Sequence, residues 1–256
     1  MDEVKELILK KERDFAYLGS VNLTEKHKKG YLYGSLNYSL YLAPANMSGY
    51  EVCPGRTAEC TALCLNQSGK NLGGMRDEMI NKSRIKKTRF FFEDRQFFME
   101  WMCAEIALTK IKADKLGYTF NIRLNNTSDI SPESFRMTVN GVEKNILELF
   151  NTIQFYDYTK VPTRYKLVEK YPNYNLTFSY TGLNKDECLR MIDRGINVAV
   201  VFKNKLPETF WGLDVIDGDL NDMRYIDKKG VIVGLKYKTV RERPKEDSKF
   251  VVDPAL

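Results

Sequence analysis

The sequence predicts an α/β protein whose core is a complete or partial (β/α) barrel of about six to seven mainly parallel strands. Short apolar β runs alternate with helical segments through the second half of the chain, which is typical of parallel strands joined by crossovers. Polar residues and three cysteines follow the ends of these runs, where parallel folds carry their ligand-binding loops. A doubly wound open sheet is the alternative that the same pattern leaves open.

The first half of the chain contains one helix, one β run and a helical pair. Residues 1–15 have the spacing of an amphipathic helix, and residues 31–44 form an aromatic-rich β-like run. From Met75 to about Leu116 the pattern predicts two helices divided near Glu93–Asp94. The second helix is expected to stop after its last lysines, at a glycine.

Strand-like and helix-like segments then alternate. The strand-like segments are TFNIRL (119–124), TIQFYDY (152–158), NLTFSY (175–180), NVAVVF (197–202), LDVIDGD (213–219) and VIVGLKY (231–237). The helix-like segments are 132–150, TRYKLVEKY (163–171) and NKDECLRMIDRG (184–195). No low-complexity linker divides the chain, which predicts a single domain over 1–256. Within it we expect an N-terminal helical and polar extension (1–30), the barrel core (36–238) and a C-terminal tail (239–256).

Composition and charge exclude some classes of protein. The net charge of +6 comes from 40 basic and 34 acidic residues that are largely interspersed, so contact with nucleic acid is allowed but not required. No apolar run reaches the roughly 18 residues of a membrane span, and the charged N-terminus lacks the apolar region of a signal peptide. These features predict a cytoplasmic protein. Clustered cysteines there indicate metal or redox chemistry rather than disulfides.

Three of the five cysteines lie in one loop, spaced C-x6-C-x3-C at Cys53, Cys60 and Cys64. Three thiolates can hold a [4Fe–4S] cluster and leave the fourth iron open to water, substrate or cofactor. We therefore predict that these cysteines are ligands of such a cluster. Reduced structural thiols are a further interpretation.

Zinc is the alternative metal for this loop. A structural zinc site normally has four protein ligands, so zinc would need His27, Cys103 or Cys188 to come close in space. Cys103 and Cys188 lie in helix-like segments, where a cysteine is usually buried in packing. His27 is the only histidine and has no motif around it, which argues against histidine-based hydrolysis.

Polar side chains recur at the predicted strand ends. Each could be an ordinary turn or helix-cap residue, but their recurrence next to a cysteine loop predicts a pocket for a small molecule at the barrel mouth. The predicted pocket residues are Asn125, Asn126, Ser128, Asp129, Asp157, Lys160, Asp217 and Asp219.

A basic segment at residues 81–95 allows a different function. Its lysines and arginines stand beside three phenylalanines, and we favour a solvated basic face with the aromatic rings buried behind it. The alternative is phosphate contact through Lys86, Lys87 and Arg89. The protein would then be a non-enzymatic nucleic-acid-binding or replication-associated protein with a structural zinc or thiol loop.

The order of the motifs resembles a group of uncharacterised proteins encoded by bacteriophages and prophages. The resemblance covers about residues 36–238 and includes CPGRTAECTALCLNQSGK, RIKKTRFFFEDRQFF, RLNNTSDI, QFYDYTKVP and DGDLNDMRYID. More distantly, a three-cysteine loop after the first barrel strand is similar to radical S-adenosylmethionine (SAM) enzymes. That resemblance implies a [4Fe–4S] cluster, SAM as a cofactor and, if the protein is an enzyme, modification of a nucleotide or peptide. Two features differ: those enzymes usually space the cysteines C-x3-C-x2-C, and RLNNTSDI stands where they carry a glycine-glycine-glutamate segment.

Overall fold

A mostly parallel β-sheet with helices packed against it forms the centre of this mixed α/β fold. The computed structural model describes residues 18–19, 28–68, 75–238 and 243–254. The strands are β1 (Leu18–Gly19), β2 (Ser35–Leu40), β3 (Thr119–Arg123), β4 (Met137–Val139), β5 (Val142–Lys144), β6 (Gln154–Thr159), β7 (Tyr174–Ser179), β8 (Val198–Phe202), β9 (Thr209–Phe210), β10 (Leu213–Asp217), β11 (Ile232–Lys236) and β12 (Val251–Val252). The helices are α1 (Ala58–Ala62), α2 (Met75–Glu93), α3 (Arg95–Lys115), α4 (Ile146–Leu149), α5 (Tyr165–Lys170) and α6 (Lys185–Asp193).

The strands of the main sheet follow the order β1-β2-β3-β6-β7-β8-β11-β10-β9. From β2 to β10 every neighbouring pair is parallel, and the end strands β1 and β9 are antiparallel to their neighbours. β12 also pairs with β8, in parallel, beside the last two residues of that strand. All parallel strands therefore end at one edge of the sheet, where the loops that follow them meet.

The sheet is not closed into a barrel within the described residues. Its hydrogen-bonded order has two ends, and each outermost parallel strand is covered by a short antiparallel partner, β1 on β2 and β9 on β10. Among the described strands, no hydrogen-bonded pair joins the β1–β2 end of the sheet to the β10–β9 end. The complete barrel expected from the sequence is thus not observed, and a partial barrel stays a prediction.

The two faces of the sheet differ in chemistry. One face is apolar and packs against helices: Leu36, Ile122 and Phe155 belong to a cluster with Phe98 and Met102 of α3. A second apolar cluster joins strands β7, β8 and β11 to α6. Because side chains alternate along a strand, the residues between these apolar positions face the opposite side.

That opposite face is polar over β2, β3 and β6. Ser35, Asn37 and Asn121 are buried there, and side-chain hydrogen bonds join Tyr225 to Ser35 and Asn121. The rings of Tyr225 and Tyr156 lie with their centroids 5.6 Å apart. The segment after β10 therefore crosses the polar face and covers it.

The helical pair agrees with its prediction. α2 ends at Glu93 and α3 begins at Arg95, with Asp94 as the N-cap residue between them. The Asp94 carboxylate accepts a hydrogen bond from the Phe97 amide at 3.3 Å, which satisfies one of the free N–H groups of the first turn. The predicted division near Glu93–Asp94 is confirmed.

The segment 132–150 was predicted to be mainly helical, and that prediction is wrong. It contains a short 3-10 helix (Pro132–Ser134), the hairpin β4–β5 and the four-residue α-helix α4. Asn140 and Gly141 form the hairpin turn with φ values of 53° and 76°. An Asn-Gly pair between two β-prone triplets favours this type of turn, and its preference outweighs the helical spacing of the flanking residues.

Two predictions concern the ends of the chain and the membrane. The amphipathic helix expected at 1–15 lies outside the described residues. Part of the segment 239–256 joins the main sheet as β12. Within the described ranges, none of the helices combines the length and the apolar character needed to cross a bilayer.

Candidate functional site

A cavity of about 1320 Å³ opens at the edge of the sheet where the parallel strands end. Its walls come from the loops after β2, β3 and β6, from α2, and from residues that follow β10 and β11. Nine of the residues predicted as site residues line it: Cys53, Cys60, Cys64, Asn125, Asn126, Ser128, Asp129, Lys160 and Asp219. The structure thus brings the cysteine loop and most of the predicted polar residues to one cavity.

Cys53 is held by the turns that follow β2. The Val52 amide donates to the Ala45 carbonyl at 3.0 Å, and the Ala45 amide donates to the Cys53 Sγ at 3.4 Å. The Cys53 thiol in turn points to the Thr127 carbonyl, 3.8 Å away in the loop after β3. The first cysteine is therefore fixed against two strand-end loops.

The helix α1 carries the second cysteine and leads to the third. The Thr57 side chain caps this helix by accepting a hydrogen bond from the Cys60 amide at 3.1 Å. Leu63, next to Cys64, is buried against Phe250 and Val251. The loop that carries these two thiols therefore rests on β12 and the residue before it.

Lys160 lies directly behind the cysteine loop. A Cβ atom at Gly55 would stand 2.8 Å from the Lys160 Cβ, so only glycine allows this close approach. The Lys160 charge lowers the pKa values of Cys53 and Cys64, although burial outweighs it for both thiols. The Lys160 ammonium is therefore within electrostatic reach of two of the three cysteines.

Burial keeps two of the three thiols protonated at neutral pH. Burial raises the pKa of Cys53 to about 11, and it also raises the pKa of Cys64. Within the ranges that the structure describes, no group of three or more His, Cys, Asp or Glu side chains is arranged to hold a metal ion. All five cysteines are free thiols.

The donor chemistry of the loop nevertheless suits a soft metal or an iron–sulfur cluster. Thiolates are the ligands that such centres prefer, and N–H groups directed at sulfur stabilise the thiolate form. The Cys53 Sγ accepts a hydrogen bond from the Ala45 amide, and Cys64 accepts one from the backbone of Asn66. The ligands are present on one cavity, but they would have to draw together to close around a metal.

Asp129 lines the cavity and also fixes the loop after β6. Its carboxylate accepts hydrogen bonds from the Thr159 hydroxyl at 2.8 Å and from the Lys160 amide at 2.7 Å. The Arg164 guanidinium pairs with the same carboxylate at 3.1 Å and lies 3.4 Å from the Glu133 carboxylate. Asp129 is therefore fully engaged in holding two strand-end loops together.

Asp157 was predicted to line the pocket, but it lies outside the cavity lining. It sits in β6 beside Leu176 of β7, which belongs to the helix-side apolar cluster. Because side chains alternate along a strand, the Asp157 side chain lies on that face. There its carboxylate accepts hydrogen bonds from the Asn125 amide at 2.6 Å and from the Tyr174 hydroxyl at 2.9 Å. Burial raises the pKa of this carboxyl to about 6.

Asp217 also stands outside the lining, because it ends β10 near the end of the sheet. Its carboxylate pairs with the Lys236 ammonium at 3.6 Å and accepts a hydrogen bond from the Asp219 amide at 2.8 Å. Asp219 itself reaches the cavity, where it pairs with the Lys238 ammonium at 3.5 Å. Only the second aspartate of the predicted pair is in the cavity wall.

Two basic residues of α2 line the cavity without having been predicted there: Arg84 was not singled out, and Lys87 was named only as a phosphate contact under the alternative function. Arg84 and Lys87 are buried and line the cavity, whereas Lys86 and Arg89 are exposed on other sides of the helix. The signal is the spacing, since Arg84 and Lys87 fall on the same helix face as the buried Phe91. A basic residue in the register of a buried helix face indicates an inward-facing charge.

Arg84 links α2 to the end of the cysteine loop. Its guanidinium donates a hydrogen bond to the Asn66 side chain and lies 5.0 Å from the centre of the Tyr41 ring. The Asn66 amide group donates in turn to Asn81 at 3.0 Å. Burial, together with a smaller effect of the neighbouring Arg84 charge, lowers the pKa of Lys87 to about 8.

Arg123 forms part of the cavity wall at the end of β3. It pairs with the Asp222 carboxylate at 3.3 Å and lies 4.5 Å from the centre of the Tyr158 ring. The buried Nε of Arg123 has no hydrogen-bond partner among the described residues. The sequence alone did not single out this arginine, because its partner Asp222 is distant along the chain.

Comparison with known proteins gives one match. The family model described as "Gene product 88" matches residues 9–254. No curated protein matches the chain, and no solved structure does. The match includes the whole stretch on which the resemblance to phage-encoded proteins is based, and no similarity to radical SAM enzymes is shown.

Proposed function

The chain belongs to the Gene product 88 family, a phage-type family, and we propose that this member binds an iron–sulfur cluster through Cys53, Cys60 and Cys64. One observation supports the proposal above the others: these three thiols line a single cavity at the carboxyl edge of a parallel sheet. This is the edge at which parallel α/β folds bind their ligands.

The distribution of the remaining cysteines favours a three-thiolate cluster over zinc. Cys103 is buried in the apolar cluster around α3, and Cys188 is buried in the cluster around α6. Both are outside the cavity lining, and His27 lies outside the described residues. A [4Fe–4S] cluster can be held by three thiolates, whereas a structural zinc ion normally needs a fourth protein ligand.

The surroundings of the thiols support cluster binding in a second way. Thiolates are charged, and the amide groups directed at Cys53 and Cys64 together with the Lys160 ammonium would stabilise that charge. The cluster, when bound, would supply electron-transfer or Lewis-acid chemistry at the open iron. We extend the proposal to a partial barrel of the radical SAM type with SAM as the cofactor, for which Asn126 and Lys160 present side chains to the cavity.

Metal analysis of single cysteine variants tests the proposal. Anaerobically reconstituted protein should contain about four irons and four sulfides per chain and absorb in the sulfur-to-iron charge-transfer region. Each of C53A, C60A and C64A should lose most of this iron. C103A and C188A are matched controls, because they remove buried thiols outside the cavity and should keep it.

Two results would contradict the proposal. Protein that holds no iron after reconstitution, with all three loop thiols freely titratable, would exclude the cluster. Stoichiometric zinc in the protein as purified, retained in C53A, would assign the metal to another site. Addition of SAM to the reconstituted protein tests the extension separately, by a change in the electron paramagnetic resonance spectrum of the reduced cluster.

A further inference from the structure

The described wall of the cavity carries an excess of positive charge. Seven arginines and lysines line it against three aspartates, and no glutamate is among the lining residues. The cations come from five different parts of the chain, namely the cysteine loop, α2, the end of β3, the end of β6, and the end of β11 with the segment after it. A cavity lined by charges of one sign attracts ligands of the opposite sign.

The three carboxylates are already engaged by other cations. Asp129 pairs with Arg164, which is outside the cavity lining, and Asp222 pairs with Arg123. Asp219 pairs with Lys238 of the segment after β11. None of them therefore neutralises the basic residues next to the cysteine loop.

Two further cations of the wall, Arg56 and Lys236, pair with Glu51 and Asp217. Arg84 and Lys160 differ from them. Neither forms an ion pair with a carboxylate in the part of the chain that the structure describes. Arg84 is 9% exposed and hydrogen-bonds to the neutral amide of Asn66. Burying a guanidinium without a counter-ion is costly, so an anionic ligand at this place would relieve that cost.

A third basic side chain of the cavity wall lies on α2. Lys87 lies on the same helix face as Arg84, and each of the two lines the cavity. Arg84, Lys87 and Lys160 thus form a basic group beside the cysteine loop.

The cavity also has room and aromatic surface for more than a phosphate ion. Its volume of about 1320 Å³ exceeds the roughly 300–1,000 Å³ that is usual for small-molecule sites. Tyr237 is among its lining residues, as are Tyr41 and Tyr158, whose rings already lie against Arg84 and Arg123. Tyrosine rings offer flat apolar surfaces against which a heterocyclic base can stack.

We infer that the cavity binds a nucleotide, with its phosphate groups on Arg84, Lys87 and Lys160 and its base on the apolar part of the cavity wall. Arginine binds phosphate oxygens in a bidentate manner and lysine binds them as a point charge, so the group offers both modes. The inference rests on the proposed function only in taking the same cavity as the functional one. It does not need the cluster to be present.

Calorimetric titration with ATP tests the inference on reduced, EDTA-treated protein. ATP should bind saturably, and adenosine, which lacks the phosphates, should bind at least tenfold more weakly. R84Q and K160Q should each weaken ATP binding at least tenfold. K160Q covers the case in which R84Q does not fold, because Lys160 lies in a partly exposed loop.

The matched control is K86Q, which removes the same charge from the neighbouring, exposed position of α2. It should change ATP affinity less than twofold. An absence of saturable binding, equal binding of adenosine, or an equal loss in K86Q and R84Q would overturn the inference. Tighter binding of a short single-stranded oligonucleotide, weakened by K86Q and R89Q, would also overturn it and assign α2 to nucleic acid.

The triple variant C53A/C60A/C64A separates this inference from the proposed function. It should lose iron and still bind ATP. Wild-type protein that binds ATP but holds no iron would contradict the cluster alone. Protein that holds the cluster but binds no ATP would contradict the inferred nucleotide binding and leave the proposed cluster standing.

Discussion

Lys87 is a buried lysine on the wall of the candidate binding site, and its burial has a measurable cost. It is 8% exposed, on a helix face whose neighbouring turns carry Arg84 and the buried Phe91. Burial and the Arg84 charge lower its pKa to about 8, whereas Glu105 on α3 acts in the opposite direction. A lysine that is costly to keep charged in the free protein becomes favourable when an anion lies beside it.

The stability of the protein should depend on the titration of Lys87. Its folded-state pKa is below the unfolded value, so between about pH 8 and pH 10.5 the unfolded chain binds more protons and the contribution to the free energy of unfolding rises with pH. Below about pH 8 the buried ammonium lowers stability. K87M should therefore raise the free energy of unfolding at pH 7 by on the order of 2 kcal/mol, less than the full shift implies because Lys87 also interacts with its neighbours.

Urea unfolding at pH 7, 8.5 and 10 measures this effect. The difference between K87M and the wild type should shrink as the pH rises through that window. K86M, which changes an exposed lysine of the same helix, should show little difference at any of the three values. A K87M protein that is less stable at pH 7 than the wild type would contradict the assignment of Lys87 as a charge buried at a cost.

At the scale of secondary structure, the sequence predicted most elements because their signals are local. The β runs and the α2–α3 boundary depend on apolar spacing and on a capping aspartate, which a single sequence displays. The prediction of a helix over 132–150 was wrong because the turn preference of Asn140–Gly141 competes with helical spacing over the same residues. The face on which Asp157 lies could not be predicted, since it depends on the register between β6 and β7.

The hairpin turn allows a test at this scale. Gly141 has a φ of 76° and no atom within 4 Å of a Cβ placed there, so G141A would add backbone strain without a steric clash. We expect the free energy of unfolding to fall by about 1 kcal/mol. N140G should be close to neutral, because glycine adopts the φ of 53° at that position without strain. Equal losses in the two variants would contradict this turn.

At the scale of the whole molecule, the cavity is assembled from segments far apart in the sequence. Helix α2, the loops after β2, β3 and β6, and the segment before β12 all contribute to its wall. The sequence predicted the cysteine loop and most polar residues of the site, because all follow strand ends. Pairs such as Arg123–Asp222 could not be predicted, because their partners lie 99 residues apart along the chain.

The support that Phe250 gives to the cysteine loop leads to a prediction for the thiols. Phe250 packs with Leu63, and Cys60 is packed against the same cluster. F250A should leave a void there, lower stability by about 3 kcal/mol and speed the alkylation of Cys60 and Cys64 at least several-fold. Mass spectrometry after timed alkylation measures these rates, with the buried Cys103 as the internal reference.

The matched control is Y33A, which removes an aromatic ring that is 54% exposed and outside the cavity. It should leave the alkylation rates of all the cysteines unchanged. An unchanged rate at Cys60 in F250A would mean that the loop does not depend on this contact.

The position of β12 beside β8 also gives the protein an order of assembly. Val201 pairs with Val251, so this part of β8 is synthesised fifty residues before the strand that it pairs with. During that interval Leu63 has neither Phe250 nor Val251 to cover it, although the strands on either side can already pair. The growing chain thus passes through a stage in which Leu63 and Cys60 lack the residues that they pack against in the folded protein.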